Sequence, residues 1–205
     1  GGPEAIRDIK DSTTIGVKGI VAPMVESDFG VRKFINAIEK NIDPSIITTL
    51  NLAINVETKI SIKNLTDILD INEISKLYSI TIGRVDLSSS LGLDRGQING
   101  DNMIEIVKGA FKKIKLKGLK TNMGGGISIE SYDFITNLHS DGYLDDVETR
   151  YVMFDVARIL KKYKEALLKA HEFEYTWLKN KKMLNTALAD ADNQRLIMIE
   201  NRLKS

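Results

Sequence analysis

Hydrophobic and polar positions alternate with two different periods along the first 155 residues of the chain. Short apolar runs are typical of buried β-strands, and they predict strands at 19–25, 51–56, 79–85, 120–125 and 146–154. Between these runs, apolar residues recur at steps of three and four, which predicts amphipathic helices at 28–40, 101–116 and 127–142. Because strands that alternate with helices are typical of parallel β/α units, we predict an α/β fold.

The ends of these elements carry local signals. Asp101 stands where an N-cap is expected for the second helix. Ser128 or Ser131 marks the start of the third helix, and Gly142 marks its end. The opening segment GGPEAIRD is typical of a loop, because it begins with two glycines and a proline. We therefore expect the chain to be a truncated or processed piece.

From about residue 156 the pattern is helical and contains no further strands. One apolar stripe recurs at steps of three or four and is formed by Val156, Leu160, Tyr163, Leu167, Ala170, Phe173 and Trp177. A shorter helix is predicted after it, with Asp190 or Asp192 as its N-cap. These patterns divide the chain into a β/α domain at 1–155 and a helical extension at 156–205. The stripe favours packing, on the β/α domain or on a second subunit, over a ligand site.

Composition and charge narrow the classes of function. The 205 residues carry a net charge of +1 and are 42% hydrophobic, which is typical of one folded domain or of one domain with an extension. So small a net charge favours neither nucleic acid nor membrane as a partner. The absence of cysteine excludes disulfides and thiolate metal sites, and it fits a reducing cytoplasm. No apolar run is long enough to span a membrane, and the N-terminus has no signal-peptide pattern.

An acidic residue follows each of the first three predicted strands. Glu26, Glu57 and Asp86 are 31 and 29 residues apart, each interval being the length of one strand–helix unit. The carboxyl ends of parallel strands meet at one edge, where the active sites of β/α barrels lie. Clustered carboxylates repel one another, and a hard divalent cation such as Mg²⁺ or Mn²⁺, with water completing its shell, removes that cost. Each acid by itself is more typical of a helix N-cap or a turn than of a site, and the regular spacing of all three is what favours a metal site.

Small polar groups follow at the same edge. Ser88 and Ser89 come shortly after Asp86, and Gly124 and Gly125 open a glycine-rich turn before a helix. Backbone amides in such a turn can hold a carboxylate or a phosphate, although an ordinary strand-to-helix turn has the same pattern. These four residues are candidate substrate-binding positions.

Arg84 lies two residues before Asp86, so we expect the two side chains to share one face of the strand. An inward arginine would bind a substrate carboxylate with two hydrogen bonds, and a structural ion pair is the alternative. Glu148 and Arg150, at the last predicted strand, are expected to pair with each other.

Three stretches carry a resemblance to a known family. GIVAPMVES (19–27) resembles the fourth strand of the HpcH/HpaI aldolase and citrate lyase family, which belongs to the phosphoenolpyruvate/pyruvate superfamily of (β/α)₈ barrels. INVET (54–58) resembles the fifth strand of that family, and IGRVDLSSSLG (82–92) resembles the sixth. The resemblance covers about residues 15–155. It implies a TIM-type barrel that is incomplete here, with about five strands readable and the first three lacking.

The resemblance implies a lyase or aldolase in which Glu57 and Asp86 bind a divalent metal, Mg²⁺ or Mn²⁺. Such a metal chelates a 2-oxo acid and stabilises the enolate formed when a carbon–carbon bond is made or broken. Gly83 and the serine loop would hold the substrate carboxylate, and Glu26 would have a supporting role. Arg84 stands where the family commonly has a small residue, so it is expected to reshape the pocket or to supply the catalytic cation.

The family's arginine and histidine, which stabilise the enolate and move protons, belong to earlier strands than those readable here. We therefore expect a longer native chain, a partner that completes the barrel, or a rearranged fold. A homo-oligomer is expected, because C-terminal helices in this family pack against neighbouring subunits. The alternative is a non-catalytic binding or assembly module that keeps the barrel strands as a scaffold and uses its C-terminal helices for oligomer contacts.

Overall fold

The structure is a computed structural model that describes residues 3–204, except for the side chains of residues 3, 4, 188, 191, 192, 194–196 and 198–204. The chain forms two compact units, and the boundary between them follows Tyr163. The first unit contains the sheet and most of the helices, and the second is helical.

One six-stranded sheet lies at the centre of the first unit. Its strands are neighbours in chain order; the first five are parallel, and the last is antiparallel to the fifth. The strands are β1 (Gly19–Ala22), β2 (Asn51–Val56), β3 (Ser79–Gly83), β4 (Lys120–Gly124), β5 (Asp146–Glu148) and β6 (Met153–Asp155). The sheet is curled, and the α/β fold is an incomplete TIM-type barrel, as the sequence predicts.

Helices connect the strands and continue beyond the sheet. They are α1 (Pro3–Thr14), α2 (Asp28–Asn41), α3 (Pro44–Ile47), α4 (Lys59–Lys63), α5 (Leu65–Leu69), α6 (Arg84–Ser90), α7 (Asp101–Leu116), α8 (Tyr132–Ser140), α9 (Val156–Ile159) and α10 (Tyr163–Lys204). Short 3₁₀ helices lie at 72–76, 95–99, 129–131 and 160–162. The structure confirms the helices predicted at 28–40 and 101–116, since α2 and α7 match them to within one residue.

Two predicted strands end earlier than their apolar patterns. β1 ends at Ala22, because Pro23 has no N–H to donate and Met24 adopts a left-handed conformation with a φ of +53°. β3 ends at Gly83, because Arg84 begins the helix α6. The residues that follow both strands therefore lie in loops or helical turns at the carboxyl edge of the sheet.

The strand predicted at 146–154 is wrong as a single element. β5 and β6 form an antiparallel pair, and the turn between them is closed by a hydrogen bond of 2.8 Å from Thr149 N to Val152 O. β-branched and aromatic residues flank this turn on both sides, so the whole segment has the sequence pattern of one strand. The sheet consequently has six strands where five were predicted.

Three predictions at helix ends are corrected. The described part of the opening segment is helical and not a loop, because α1 begins at Pro3, a residue whose fixed φ suits a first helical turn; Gly1 and Gly2 lie outside the described residues. The N-cap of α7 is Gly100, and Asp101 is the first helical residue. Among the residues that the structure describes, α10 continues through Asp190, so no separate helix begins there; the side chain of Asp192 lies outside the described residues.

The third predicted helix is a 3₁₀ turn followed by α8. Ser128 and Ser131 form a capping box at its start, in which the N–H of Ser128 donates to Ser131 Oγ at 3.3 Å. Gly142 follows its end with a φ of +76°, as a glycine after a helix commonly does. Both predicted start residues and the predicted end are therefore present.

Side chains alternate between the two faces of the sheet. The apolar set is fully buried and consists of Ile54, Val56, Ile80, Ile82, Met123 and Val147. Residues between these positions point to the opposite face, and the strand register aligns four of them in one row: Asn55, Thr81, Asn122 and Asp146. This opposite face is polar, and its next row towards the carboxyl edge is Glu57, Gly83, Gly124 and Glu148.

The predicted apolar stripe changes its exposure along the chain. Val156 and Tyr163 are buried in the first unit, whereas Phe173 and Trp177 in α10 are about half exposed, at 50% and 51%. Within the part of the chain that the structure describes, no helix combines the length and the apolar character needed to cross a membrane.

Candidate active site

Glu57 comes directly after β2 and is 6% exposed. Its Oε1 accepts a hydrogen bond of 2.9 Å from the backbone N–H of Met24, the residue in the left-handed conformation. Its Oε2 has a longer contact of 3.5 Å with Asn55 Nδ2 and lies against Gly83. Any Cβ at Gly83 would overlap this oxygen. The carboxylate is therefore held in place by a loop amide on one side and by a glycine backbone on the other.

Glu148 ends β5 and presents a second carboxylate to the same edge. Its Oε2 accepts a hydrogen bond of 2.6 Å from Asn122 Nδ2, and its Oε1 would lie 2.9 Å from a Cβ built at Gly124. Burial raises the pKa of Glu148, the charge of Glu57 raises it further, and the hydrogen bond from Asn122 opposes both. The two carboxylates are thus close enough to influence each other.

Gly83 and Gly124 are paired in the register of β3 and β4. They lie between Glu57 and Glu148, and each carboxylate packs against the glycine nearest to it. We call this arrangement the glycine gap. Larger residues at either position would occupy the space that the carboxylates use, so the gap is what allows two acids to be held over adjacent strands.

A polar row lies beneath the glycine gap. Asn122 Nδ2 donates to Thr81 Oγ1 at 3.0 Å as well as to Glu148. The Oδ1 atoms of Asn55 and Asn122 are buried and have no hydrogen-bond partner within the described structure. Buried carbonyl oxygens without a donor are uncommon in folded proteins, so this row provides acceptors that a bound group can satisfy.

Asp86 lies in the first turn of α6, three residues beyond the end of β3, and is exposed. The expectation that Arg84 and Asp86 share a strand face is wrong, because a helical turn points the two side chains in different directions. The other end of α6 contacts the start of α4, where Lys59 N donates to Ser90 Oγ at 2.8 Å. Glu57 follows β2 and Asp86 follows β3, so the two acids come after neighbouring strands. Glu57 is buried, and Asp86 is open to solvent.

Arg84 is fully buried, and its environment does not fit the predicted catalytic role. Its guanidinium lies 4.9 Å from the centre of the Phe134 ring. It donates hydrogen bonds of 2.7–3.3 Å to Asn99 Oδ1, Ser131 Oγ and the carbonyl oxygens of Ile98, Gly125 and Gly126. Burial lowers its pKa to about 10. The alternative of an ion pair is not observed either, since none of the described salt bridges involves Arg84.

Glu26 lies four residues beyond the end of β1 and supports the segment after Glu57. Its carboxylate accepts a hydrogen bond of 2.7 Å from Thr58 Oγ1, and its backbone carbonyl accepts one of 2.8 Å from Asn64 Nδ2. Thr58 is the N-cap of α4. Glu26 therefore holds the first turn of α4 and does not stand at a strand end as expected.

The remaining predicted positions differ in their exposure. Ser88 is buried, and its hydroxyl donates to Val85 O at 2.9 Å, whereas Ser89 is exposed. Gly125 has a φ of +79° and packs so tightly on α6 that a Cβ there would lie 2.6 Å from Val85 N. Its carbonyl is held by Arg84. The glycine-rich turn is thus anchored to the first turn of α6.

The donor chemistry of this edge fits a hard divalent cation. The described residues contain no cluster of three or more His, Cys, Asp or Glu side chains able to hold a metal. Mg²⁺, however, is commonly bound by one or two carboxylates and keeps several waters. Glu57 is buried and takes part in none of the described ion pairs, and the unpartnered amide oxygens beneath it add further oxygen acceptors.

Sequence reasoning missed the contribution of Glu148 to this edge. The signal was present, because the tripeptide Val-Glu-Thr occurs both at 56–58 and at 147–149. Arg150 is exposed and forms no described ion pair with Glu148, so the pairing predicted between them is not observed.

Solved structures with a similar fold include RipC from Yersinia pestis, with 13% identity, a TM-score of 0.53, and coverage of 71% of this chain and 64% of that one. The citrate synthase SbnG has 19% identity and a TM-score of 0.52, with coverage of 82% and 69%. An HpcH/HpaI aldolase from Desulfitobacterium hafniense has 16% identity and a TM-score of 0.54, with coverage of 64% and 58%. The chain thus spans less than two thirds of the length of the first and third of these proteins. At these identities the likeness concerns the fold.

Sequence comparison assigns the family. No curated protein matches the chain as a close relative. The sequence profile described as HpcH/HpaI aldolase/citrate lyase matches residues 2–124, which is more than half of the 205 residues and includes Glu57, Asp86 and both residues of the glycine gap. The chain belongs to the HpcH/HpaI aldolase/citrate lyase family.

Proposed function

We propose that this chain carries the cation-binding edge of a divalent-metal-dependent carbon–carbon lyase or aldolase that acts on a 2-oxo acid. Membership of the family supports a lyase or aldolase function. The observation that carries the proposal is the placement of Glu57 at the carboxyl edge of a parallel sheet. Its carboxylate is buried, is held by the Met24 amide, and takes part in none of the described ion pairs. That edge is where barrel enzymes of this kind have their active sites.

Glu57 and Asp86 are the residues proposed to hold the cation, Mg²⁺ or Mn²⁺. Glu57 is fixed by Met24 and Gly83, so its carboxylate needs little reorganisation on binding. Asp86 is exposed and one strand away, and therefore accessible to a cation that retains part of its water shell. When bound, the cation supplies Lewis-acid stabilisation of the negative charge that develops on the oxo acid.

Other residues of the edge have supporting roles in this proposal. Gly83 and Gly124 leave space above two neighbouring strands for the Glu57 and Glu148 carboxylates. Ser89 is exposed and provides a hydroxyl for the substrate carboxylate. Ser88 and Gly125 have structural roles instead, because the Ser88 hydroxyl donates to Val85 O and the Gly125 carbonyl accepts from Arg84. Glu26 acts through Thr58, which begins the helix directly after Glu57.

Arg84 is proposed to position loops instead of contacting substrate. Its guanidinium joins the glycine-rich turn, at Gly125 and Gly126, to the 3₁₀ segment at Ile98 and Asn99. Gly125 and Gly126 directly follow β4, and Ile98 and Asn99 lie between α6 and α7. The side chain therefore sets the spacing of the loops that surround the proposed site.

A 2-oxo acid is the proposed substrate class. One structural neighbour carries the name citrate synthase, which denotes formation of a carbon–carbon bond. The chain spans 58–69% of the length of the three neighbours. Catalytic turnover by the whole protein is therefore itself part of the proposal. The cytoplasmic location and the homo-oligomer expected from the sequence stay predictions.

The proposal is tested by calorimetric titration of the chain with Mn²⁺, in the presence and absence of oxalate, a stable analogue of a 2-oxo acid. We expect Mn²⁺ to bind and to bind more tightly with oxalate, and we expect Glu57→Ala and Asp86→Ala to abolish binding. Equal Mn²⁺ affinity in the wild type and in both variants would contradict the proposal, as would the absence of binding to the wild type.

A second candidate is a non-catalytic assembly module that uses α10. Large apolar side chains are exposed along this helix, among them Leu168 (59%), Tyr175 (68%), Met183 (63%) and Leu184 (62%). Exposed apolar side chains grouped on one element are typical of an interaction surface. This candidate would lead if the wild-type chain bound no Mn²⁺ and sedimented as an oligomer that a truncation after Tyr163 made monomeric.

A further inference from the structure

We propose that Glu148 supports the cation site from the other side of the glycine gap, by holding the water shell of the divalent cation that Glu57 binds. This inference rests on the proposed function, because it adds a residue to the same site. It goes beyond the pair of acids that the sequence motifs indicate, and it depends on how the sheet brings β2 and β5 together.

The strand register supports the assignment. Glu57 follows Val56, which pairs with Ile82 of β3, and Gly83 pairs with Gly124 of β4. Met123 pairs with Val147, so Glu148 occupies the same row on β5. The row therefore reads acid, glycine, glycine, acid across four neighbouring strands. The two glycines provide the space in which both carboxylates can face one bound ion.

The electrostatics of the two carboxylates explains why a cation would bind at the glycine gap. Glu57 is buried and Glu148 is half-buried, and neither takes part in an ion pair with any described residue. The charge of Glu57 disfavours the charged form of Glu148, and a bound cation reverses this effect. The hydrogen bonds from Met24 and Asn122 fix the carboxylates but bring no positive charge.

Asn122 provides an independent observation. Its side chain is 1% exposed, and its Nδ2 is bound to Glu148 Oε2, so the amide lies at this carboxylate. Its Oδ1 is buried and has no donor within the described residues. A carbonyl oxygen in that position is satisfied by a cation or by a water molecule of its shell. The same amide thus anchors Glu148 and offers an unused oxygen.

The experiment is a calorimetric titration with Mn²⁺ of the wild type, Glu57→Gln, Glu148→Gln and the control Glu105→Gln. Glu105 is exposed on α7, and its variant loses the same single charge away from the glycine gap. We expect Glu148→Gln to weaken Mn²⁺ binding about tenfold or more, the range for groups that support a metal site. Glu57→Gln should abolish binding, and Glu105→Gln should leave the affinity within about twofold of the wild type because solvent screens a distant charge.

The outcomes separate the two proposals. Loss of binding in Glu57→Gln together with unchanged affinity in Glu148→Gln would overturn the role of Glu148 and leave the proposed function standing. Absence of Mn²⁺ binding in the wild type would overturn both. If Glu148→Gln does not fold, Gly124→Ala takes its place, because a Cβ 2.9 Å from Oε1 displaces the Glu148 carboxylate without changing its charge. Wild-type affinity in that folded variant would likewise overturn the role of Glu148.

Discussion

Gly83 lies against the carboxylate of Glu57 so closely that a Cβ at position 83 would overlap Oε2. This relationship joins the end of β2 to the end of β3 and depends on the register between them. The position of the Glu57 carboxylate therefore depends on Gly83, which comes 26 positions later in the chain. The glycine is therefore part of the site although it has no side chain.

Replacing Gly83 by alanine should displace the Glu57 carboxylate and weaken Mn²⁺ binding about tenfold or more, the range for groups that support a metal ligand. Gly109, in the middle of α7, is the matched control, because a Cβ there meets no atom within 4 Å. Gly109→Ala should leave the Mn²⁺ affinity unchanged and stabilise the fold by about 0.5–1 kcal/mol. Calorimetry and urea unfolding measure the two effects, and equal Mn²⁺ affinity in both variants would show that the contact at Gly83 is unimportant.

Replacing Arg84 by methionine should lower the free energy of unfolding by roughly 2–4 kcal/mol, because several buried acceptors would lose their donor. Arg84→Lys should be intermediate, since an ammonium keeps the charge but does not reproduce the planar fork. Arg7, whose side chain is 83% exposed, is the control, and its methionine variant should change stability by less than about 0.5 kcal/mol. Urea unfolding followed by circular dichroism measures all three, and a stability loss no larger for Arg84→Met than for the control would refute the role in holding loops.

Asp145 should make the stability of the fold depend on pH. Burial by itself would raise its pKa, but the Lys115 ammonium and the donors of Thr121 outweigh burial, so the pKa is lowered. An acid whose pKa is lower in the folded state contributes stability above its unfolded pKa, and this contribution is lost as the pH falls through the folded pKa. Asp145→Asn should therefore cost about 1–3 kcal/mol near pH 7, and the difference from the wild type should shrink below about pH 4.

The control for this pH dependence is Asp70→Asn, which removes a surface pair with Lys117. Exposed pairs of this kind contribute about 0–1 kcal/mol, so we expect a small and nearly constant difference from the wild type. Unfolding in urea at several pH values between 3 and 8 provides the comparison. A stability difference for Asp145→Asn that stays the same across this range would contradict the prediction.

Local signals predicted the parts of the fold that local packing decides. The strand at 51–56 and the helix at 101–116 were found at their predicted bounds, because an apolar run between polar residues and an amphipathic repeat each specify one element. The signals failed at turns: Thr149 and Val152 close a hairpin inside what reads as one strand. They also failed at Arg84, where the apolar run suggested a strand although the residue begins a helix.

The sequence by itself determined the alternation of strands and helices, the family motifs, and the position of Glu57 after a buried strand. Only the tertiary structure decided that Glu148, 91 residues later, shares a row with Glu57, and that Arg84 faces carbonyl oxygens in the interior. The physical reason is that apolar periodicity reports which face of an element is buried. Register between strands and the partners of a buried polar group depend on how distant elements pack together.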